Sequence, residues 1–414
     1  MNKINKLNFT YPWAFYLGHF LTQLDTSFLV FGIPIFASYC IQDPVMTFDA
    51  IFKAYGIVPL SAMIKLISGI FFGFFLSNFN SRKLFYFSLF AMGLFAIFFG
   101  VNRFLKCTSS LYMAFGLFSF CLFKFFIASE KASSLFMILG SEKKGTYSVF
   151  FYQLSTLLAF FLTGWLFYAV DIEVVLEHLY LIYLILGVSF ILIAFTRKDP
   201  VNEEEIKKIS FLEFIKSVCK NLNIIGFLSI LCGIDQITFF FAMNVSPVMY
   251  QIYHPQEGLH LLNLVMLVVD LALLPVLTVF TKNMDPYKSL KINLMIQLFF
   301  FPLALVLLTN CHLSTLITIR IASIVIGLSY SISMINFLKS YLSRSVLFLI
   351  FIAKSLGTLL IMTPLLGAIF SNFLKQKNLP VSITIFVLLS LVGLLSVYRL
   401  RNHANQLRFA LEFD

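Results

Sequence analysis

Charge is what this chain has least of. Asp, Glu, Lys and Arg make up 12% of its 414 residues, about half the share expected of a soluble globular protein. Hydrophobic residues make up 60%, and mean hydropathy is +0.92. A soluble fold could not cover itself with so few polar side chains, so the chain reads as a polytopic membrane protein. The ten-residue alternation of a membrane barrel is also missing, and open strands would leave backbone groups unpaired in lipid, so the spans are read as helices. Cysteines are few: Cys40, Cys107, Cys121, Cys219, Cys232 and Cys311 show no pair spacing of a zinc or redox motif, and read as structural. There is no Gly-rich phosphate loop ahead of a basic residue and no nucleophile elbow, which argues against an ATP-driven pump. No enzymatic constellation, cofactor or metal is expected. A cleavable signal is absent too: the first apolar run is long, interrupted by polar residues and without a small-residue cleavage site, so it stays as the first helix.

What is present is apolar sequence in bilayer-length pieces. Twelve runs of about 20 residues, the length needed to cross hydrocarbon as helix, occupy 13–38, 51–77, 84–101, 109–138, 146–170, 178–196, 223–251, 259–281, 289–309, 313–336, 345–372 and 379–398. The long runs 109–138 and 345–372 fit tilted helices or helices with extensions beyond the membrane. Twenty Lys and Arg fall in the tails and loops on the side of the N-terminus, among them Arg82, Lys83, Lys143, Lys144, Lys282 and Lys288. Five, Lys53, Arg103, Lys106, Lys375 and Lys377, fall on the other. By the positive-inside rule both termini face the cytosol, and a bacterial inner membrane is the expected location. The net charge of +11 is thus read as topology and attraction to anionic lipid, with no nucleic-acid partner.

The longest polar segment, RKDPVNEEEIKKISFLEFIKSVCKNLN from Arg197 to Asn223, follows the sixth run. It implies a six-helix bundle over 1–196, a cytosolic linker over 197–222 with FLEFIKSV as a surface amphipathic helix, and a second bundle with a short tail over 223–414. An internal repeat supports the division. GFFLSNFNSRK (Gly73 to Lys83) aligns with TVFTKNMDPYK (Thr278 to Lys288) at a constant offset of 205 residues, with Asn78 over Asn283 and Lys83 over Lys288. Parallel repeats of this kind occur in one large transporter superfamily.

The stretch IKLISGIFFGFFLSNFNSRKLFYFSLFAMGL, Ile64 to Leu94, resembles the signature between the second and third helices of the metabolite:proton symporter family of the major facilitator superfamily, the group of the proline/betaine and 2-oxoglutarate permeases. LDTSF at Leu24, SFLEF at Ser210, ITFFFAMNVSP at Ile237 and KSLGTLLIMTP at Lys354 resemble further family features in the same order. The resemblance implies twelve transmembrane helices in two pseudo-symmetric six-helix bundles, and alternating access for a small solute. It also implies a cytosolic latch, which here would fall to Asn78, Arg82, Lys83, Asn283, Asp285 and Lys288. The sequence departs from the pattern at that latch: Ser77, Asn78 and Asn80 stand where the family has Asp, Arg and Gly, and Lys282 stands in the second copy where Asp is expected. In the eleventh span Lys354 replaces an expected Asn.

Nine ionisable residues fall within the runs: Asp25, Lys65, Lys124, Glu130, Lys131, Asp235, Asp270, Arg320 and Lys354. Each would cost about 2.5–3.5 kcal/mol at the bilayer centre if it faced lipid, so they must pair or line a wet cavity. A carboxyl in a span can carry a proton from one face to the other, and Asp25 and Glu130 are the candidates. Lys65, Lys124, Lys131, Asp235, Gln236, Asn244 and Lys354 are the candidate solute ligands, the lysines offering charge-assisted hydrogen bonds to a carboxylate. Lys124 and Lys131, seven residues apart, share a helix face and are expected to point at the central cavity, with Glu130 paired to one of them or to Lys65. His19 reads as a packing residue, and Asp270 and Arg320 as structural, Arg320 reaching toward the outer interface. The 52 Phe are expected mostly to face lipid.

Five basic against four acidic residues favour an anionic or zwitterionic organic solute over a cation. Proton-coupled symport by a monomer in the bilayer is the expected activity, with the solute, protons and lipid as partners. Proton-independent exchange or uniport is the alternative within transport. A transport-inactive receptor or assembly partner that keeps the fold is the alternative outside it.

Overall fold

The computed structural model describes residues 12–40, 57–78, 81–104, 110–140, 145–170, 172–196, 210–242, 259–308, 312–341, 349–362 and 379–412. These residues are helical almost throughout and contain no strand. The helices are α1 (Pro12–Cys40), α2 (Ile57–Asn78), α3 (Ser81–Phe104), α4 (Ser110–Gly140), α5 (Gly145–Ala169), a short α6 (Ile172–Glu177) and α7 (Leu179–Phe195). After them come α8 (Phe211–Lys220), α9 (Leu222–Phe240), α10 (Leu259–Lys282), α11 (Pro286–Leu308), α12 (Leu313–Tyr341), α13 (Leu349–Leu356) and α14 (Leu379–Glu412). Seven of them are long and apolar enough among the described residues to cross a bilayer. The protein is therefore an integral, multi-pass membrane protein.

The 205-residue offset runs through the architecture as well as the loops. It carries the start of α3, Ser81, onto the start of α11, Pro286, and carries the end of α3 to within one residue of the end of α11. Helix pairings repeat under the same mapping. In the first half α3 packs on α7 and α4, α2 on α4, and α1 on α5, α4 and α7. In the second, α11 packs on α14 and α12, α10 on α12, and α9 on α13, α12 and α14. Polar clasps recur at matching places: Ser88 and Ser129 hydroxyls lie 2.5 Å apart between α3 and α4, and Ser289, Asn293 and Ser333 join α11 to α12 at 2.6–3.1 Å. The halves meet along α5 with α10 and α2 with α13, again a symmetric pair of contacts.

Small residues set the closest crossings. A Cβ on Gly93 would lie 2.7 Å from the Gly187 carbonyl oxygen, and one on Gly187 would lie 2.8 Å from that of Gly93, so α3 and α7 touch backbone to backbone. Gly357 and Gly233 do the same for α13 and α9, where a Cβ on Gly357 would meet the Ser229 oxygen at 2.5 Å. Such small-residue contacts hold helices together in lipid, where the hydrophobic effect between them is weak.

The eleventh run departs from expectation. Of the run 345–372 the described part is 349–362, where α13 passes at Gly357 into a π-helical turn, Gly357–Met362. The Lys354 carbonyl at this junction accepts from the Thr358 hydroxyl at 3.0 Å and from Gln236 Nε2 at 3.2 Å, so the widened turn leaves no bare acceptor there. The twelfth helix runs past 398 to Glu412. Phenylalanine also departs from expectation. Phe195 and Phe299 are exposed, but Phe72, Phe85, Phe123, Phe160, Phe190, Phe301 and Phe386 are fully buried, and Phe72 packs against Phe125 and Phe126 to build the α2–α4 seam.

The amphipathic α8 forms as expected. A capping box starts it: Ser210 Oγ accepts from the Glu213 amide at 3.2 Å, and Glu213 Oε2 accepts from the Ser210 amide at 2.8 Å. Phe214 is fully buried against Phe74 of α2. The remainder of the proposed linker, 197–209, lies outside the described residues.

Candidate functional site

The buried ionisable residues sort into closed pairs and an open cluster. Asp25 on α1 and Lys124 on α4 form a direct ion pair, 2% and 4% exposed at their side chains, and the Tyr183 hydroxyl of α7 donates to Asp25 Oδ1 at 3.2 Å. The Lys124 ammonium also lies 4.9 Å from the Phe120 ring centroid. Phe99, Phe123 and Tyr183 surround this pair inside the first half. Lys124 therefore does not reach the central cavity, contrary to expectation, because a carboxylate one helix away compensates it at lower cost. Asp270 on α10 and Arg320 on α12 make the second closed pair, bidentate at 2.6 and 3.2 Å and almost fully buried. Arg320 is thus anchored inward instead of reaching for the interface.

Glu130 behaves differently. It is fully buried, accepts from the Ser134 hydroxyl at 2.5 Å, and faces His19 Nδ1 at 3.7 Å. Its Oε2 has no hydrogen-bond partner, and neither does His19 Nδ1. The expected pairing of Glu130 with a lysine does not occur in the described geometry. Lys131 donates to Gln23 Oε1 at 3.3 Å and to the Thr26 hydroxyl at 3.0 Å, and the Lys65 side chain lies outside the described residues. His19, expected to be a packing residue, is the hub of this cluster. Its Nε2 bonds Gln23 at 3.2 Å and Thr156 at 3.3 Å, and its ring stacks on Tyr152 with centroids 4.0 Å apart.

Tyr152 leads to an empty space. A small pocket is lined by Tyr152 from α5, by Cys232 and Asp235 from α9, by Ser331, Met334, Ile335 and Leu338 from α12, and by Ile350 and Lys354 from α13. It lies where the halves meet, since α5 belongs to the first and the other three helices to the second. Ser331, which lines the pocket beside Asp235, accepts from Gln153 Nε2 of α5 at 2.8 Å. Gln236, a candidate ligand, spends its amide on the Lys354 carbonyl and accepts from Thr358, which makes it a brace behind the pocket.

Of the other sequence candidates, Asn244 lies outside the described residues, as do the side chains of Asn78 and Arg82. Lys83 is half-buried; Asn283, Asp285 and Lys288 are exposed at the α10–α11 connection, where Asp285 caps α11 by accepting from the Lys288 amide at 2.9 Å. Sequence reading missed Tyr152, Tyr183, Gln153 and Ser331. Among the described residues no cluster of His, Cys, Asp and Glu is arranged to hold a metal ion.

No protein-family model and no curated protein sequence matches the chain. Solved structures do. The human organic anion transporter MFSD10 (TETRAN) superposes with a TM-score of 0.64 at 13% identity, covering 94% of this chain and 98% of that one. FucP, a major facilitator superfamily transporter in the outward conformation, gives 0.64 at 14% identity over 95% and 99%. A bacterial homologue of the iron transporter ferroportin, outward-facing, gives 0.62 at 15% over 94% and 98%. Near-complete coverage at such low identity is a likeness of architecture, and the architecture of this chain is the major facilitator fold.

Proposed function

We propose that the protein is a secondary active transporter that moves a small anionic or zwitterionic organic solute together with protons, by alternating access of two six-helix bundles, 1–196 and 223–414, joined by the 197–222 linker. The observation that carries this reading is the pocket between the halves, with Asp235 and Lys354 on one wall and Tyr152 on the other, Tyr152 being stacked on a buried His19–Glu130 pair. A rocking motion that separates α5 from α12 would break the Gln153–Ser331 bond and expose the pocket.

Glu130 is the favoured proton carrier. With Oε2 and the facing His19 nitrogen both unpartnered, a proton has somewhere to sit and a neighbour to pass to. Asp25, already neutralised by Lys124, is the weaker candidate for that role. Lys354, Asp235 and Lys131 are the favoured solute-facing charges; Lys65 and Asn244 remain candidates by sequence. The latch is assigned to Asn78, Arg82, Lys83, Asn283, Asp285 and Lys288 by resemblance to the metabolite:proton symporters; the excess of Lys and Arg on the side of the N-terminus supports cytosolic termini, and a monomer in a bacterial inner membrane completes the reading.

Purified protein in liposomes, loaded with a panel of labelled carboxylates, betaines and amino acids, tests the proposal. Accumulation driven by an inward proton gradient, with acidification of the lumen, is expected. Flux without acidification would instead mark a proton-independent exchanger or uniporter. Absence of flux for every solute would favour a transport-inactive receptor that keeps the fold.

A further inference from the structure

Positive charge gathers at one end of the seam between α11 and α14. Lys288, Lys291 and Arg399 are exposed there, and Lys282 is exposed just before the turn into α11. Helix α11 contains no acidic residue, and α14 has none before Glu412. Asp285, in the turn, spends Oδ2 on the Lys288 amide at 2.9 Å. Among the described residues Lys288, Lys291 and Arg399 form no ion pair.

Two contacts set the register of these antiparallel helices. Arg401 lies 4.2 Å over the Tyr287 ring, and a Cβ on Gly393 would lie 3.0 Å from Leu294 Cδ2. Arg399 therefore stands in depth between Lys288 and Lys291, within about 4 Å of each along the axis at 1.5 Å per residue. Both helices turn the same kind of face outward. On α11 the exposed positions Lys288, Lys291, Ile292, Ile296, Phe299 and Leu303 follow helical spacing, so the two lysines end an apolar stripe. From Ile292 to Leu303 that stripe is about 16 Å long, roughly half the 30 Å of bilayer hydrocarbon and so the depth of one leaflet. On α14 Leu391, Leu395 and Tyr398 lead to Arg399 in the same way.

Membrane orientation alone does not account for this placement. Under the 205-residue offset Lys291 falls on Tyr86, and the cations that follow α7, Arg197 and Lys198, come beyond its end at Phe195. Lys291 and Arg399 instead stand within their spans, Pro286–Leu308 and Leu379–Asn402, on the outward face. The positive-inside rule asks for charge in the connections, not there.

We propose that this end of the α11–α14 seam binds an anionic glycerophospholipid of the adjoining leaflet. Arg399 and Lys291 hold its phosphate, Lys288 stands at the rim, and an acyl chain lies along Ile292, Ile296 and Phe299. The guanidinium offers a forked donor to phosphate oxygens, and the lysines add point charge. A zwitterionic lipid brings its own cationic headgroup against these side chains and is disfavoured. The site is separate from the pocket between the halves and requires no transport.

Dioctanoyl phosphatidylglycerol and dioctanoyl phosphatidylcholine are the probes, titrated onto the full-length protein in neutral detergent, with bound lipid counted by native mass spectrometry. Each Lys or Arg near a membrane surface strengthens attachment to anionic lipid about fivefold. The double variant Lys291→Gln, Arg399→Gln is therefore expected to weaken phosphatidylglycerol binding about 30-fold and to leave phosphatidylcholine binding unchanged. Lys216→Gln, Lys220→Gln on α8 removes the same charge elsewhere and should change neither. Equal losses in the two variants would reduce the preference to net charge and overturn the site, as would equal affinity of the wild type for the two lipids. Hydrogen exchange on the wild type locates the lipid even if a variant misfolds: slower exchange in 286–292 and 397–402 on adding phosphatidylglycerol is expected. Protection confined to other segments overturns the site. Protection of these segments in a lipid-free dimer gives the seam to a second copy of the chain, and overturns it too.

Discussion

Replacing Lys124 by Met is the sharpest perturbation of the buried charges. The substitution leaves the Asp25 carboxylate, 2% exposed, with the Tyr183 hydroxyl at 3.2 Å as its remaining described partner. Breaking a buried pair from one side costs about 3–5 kcal/mol, which is roughly a hundred- to several-thousand-fold in the folding equilibrium. Asp25→Asn leaves the ammonium over the rings of Phe120 and Phe123, which recover a fraction of the loss through cation–π attraction. The double variant Asp25→Asn, Lys124→Met removes both charges, and its cost should fall well below the sum of the two singles. Reversible unfolding in mixed micelles measures all four corners of the cycle. Costs that add to within about 0.5 kcal/mol would refute direct coupling. The same double variant separates structure from mechanism: if it folds and still accumulates solute in response to a proton gradient, Asp25 serves stability. Loss of gradient-driven accumulation with intact counterflow would make Asp25 a proton carrier and refute the structural reading.

Three further outcomes are expected. Glu130→Gln should abolish accumulation driven by a pH gradient while leaving solute counterflow, because exchange needs no net proton release; unchanged gradient-driven accumulation removes Glu130 from coupling. Gly357→Ala places a methyl group 2.5 Å from the Ser229 oxygen and should destabilise by about 1–3 kcal/mol, whereas Gly226→Ala, with nothing within 4 Å, should stabilise by about 0.4–1 kcal/mol; equal melting temperatures would refute the close α9–α13 crossing. Single-cysteine labelling should place Lys143 and Lys144 in the cytosol and the segment from Asp171 to His178 outside, and both loops on one side would overturn the topology.

The helices were legible because hydrocarbon thickness imposes a length that sequence displays directly. The run 84–101 became Ser81–Phe104, and the run 259–281 became Leu259–Lys282. Where expectation failed, hydropathy carried no information about the cause. The change at Gly357 falls where the backbone of α9 comes closest to it, a contact between residues more than a hundred positions apart. Likewise α14 continues beyond Leu400 through Arg401 to Glu412, where polarity marks the end of the apolar stretch and not the end of the helix. Arg401, stacked 4.2 Å over the Tyr287 ring, shows that this extension still packs on α11.

The site was half legible for a related reason. A charge in an apolar run advertises itself, so Asp235, Lys354 and Glu130 stood out, but which neighbour each one meets depends on helix azimuth. Depth would have narrowed the choice. His19 lies seven residues after the start of α1, Tyr152 seven after the start of α5, and Glu130 ten before the end of α4. All three termini fall on the side with the excess of Lys and Arg, so at 1.5 Å per residue the three side chains lie roughly 10–15 Å in from the same face. Ser331, ten residues before the end of α12, and Lys354, five after the start of α13, approach from that face too. A histidine and a tyrosine in this layer, on helices that both contact α4, are the natural company of a buried glutamate. Tyr152 belongs to two environments at once: one face of its ring stacks on His19, and the residue lines the pocket with Asp235 and Lys354. Any motion of α5 that opens the pocket must also move the ring against which His19 is held, so under the proposed transport reading solute access and the environment of Glu130 are joined through a single side chain.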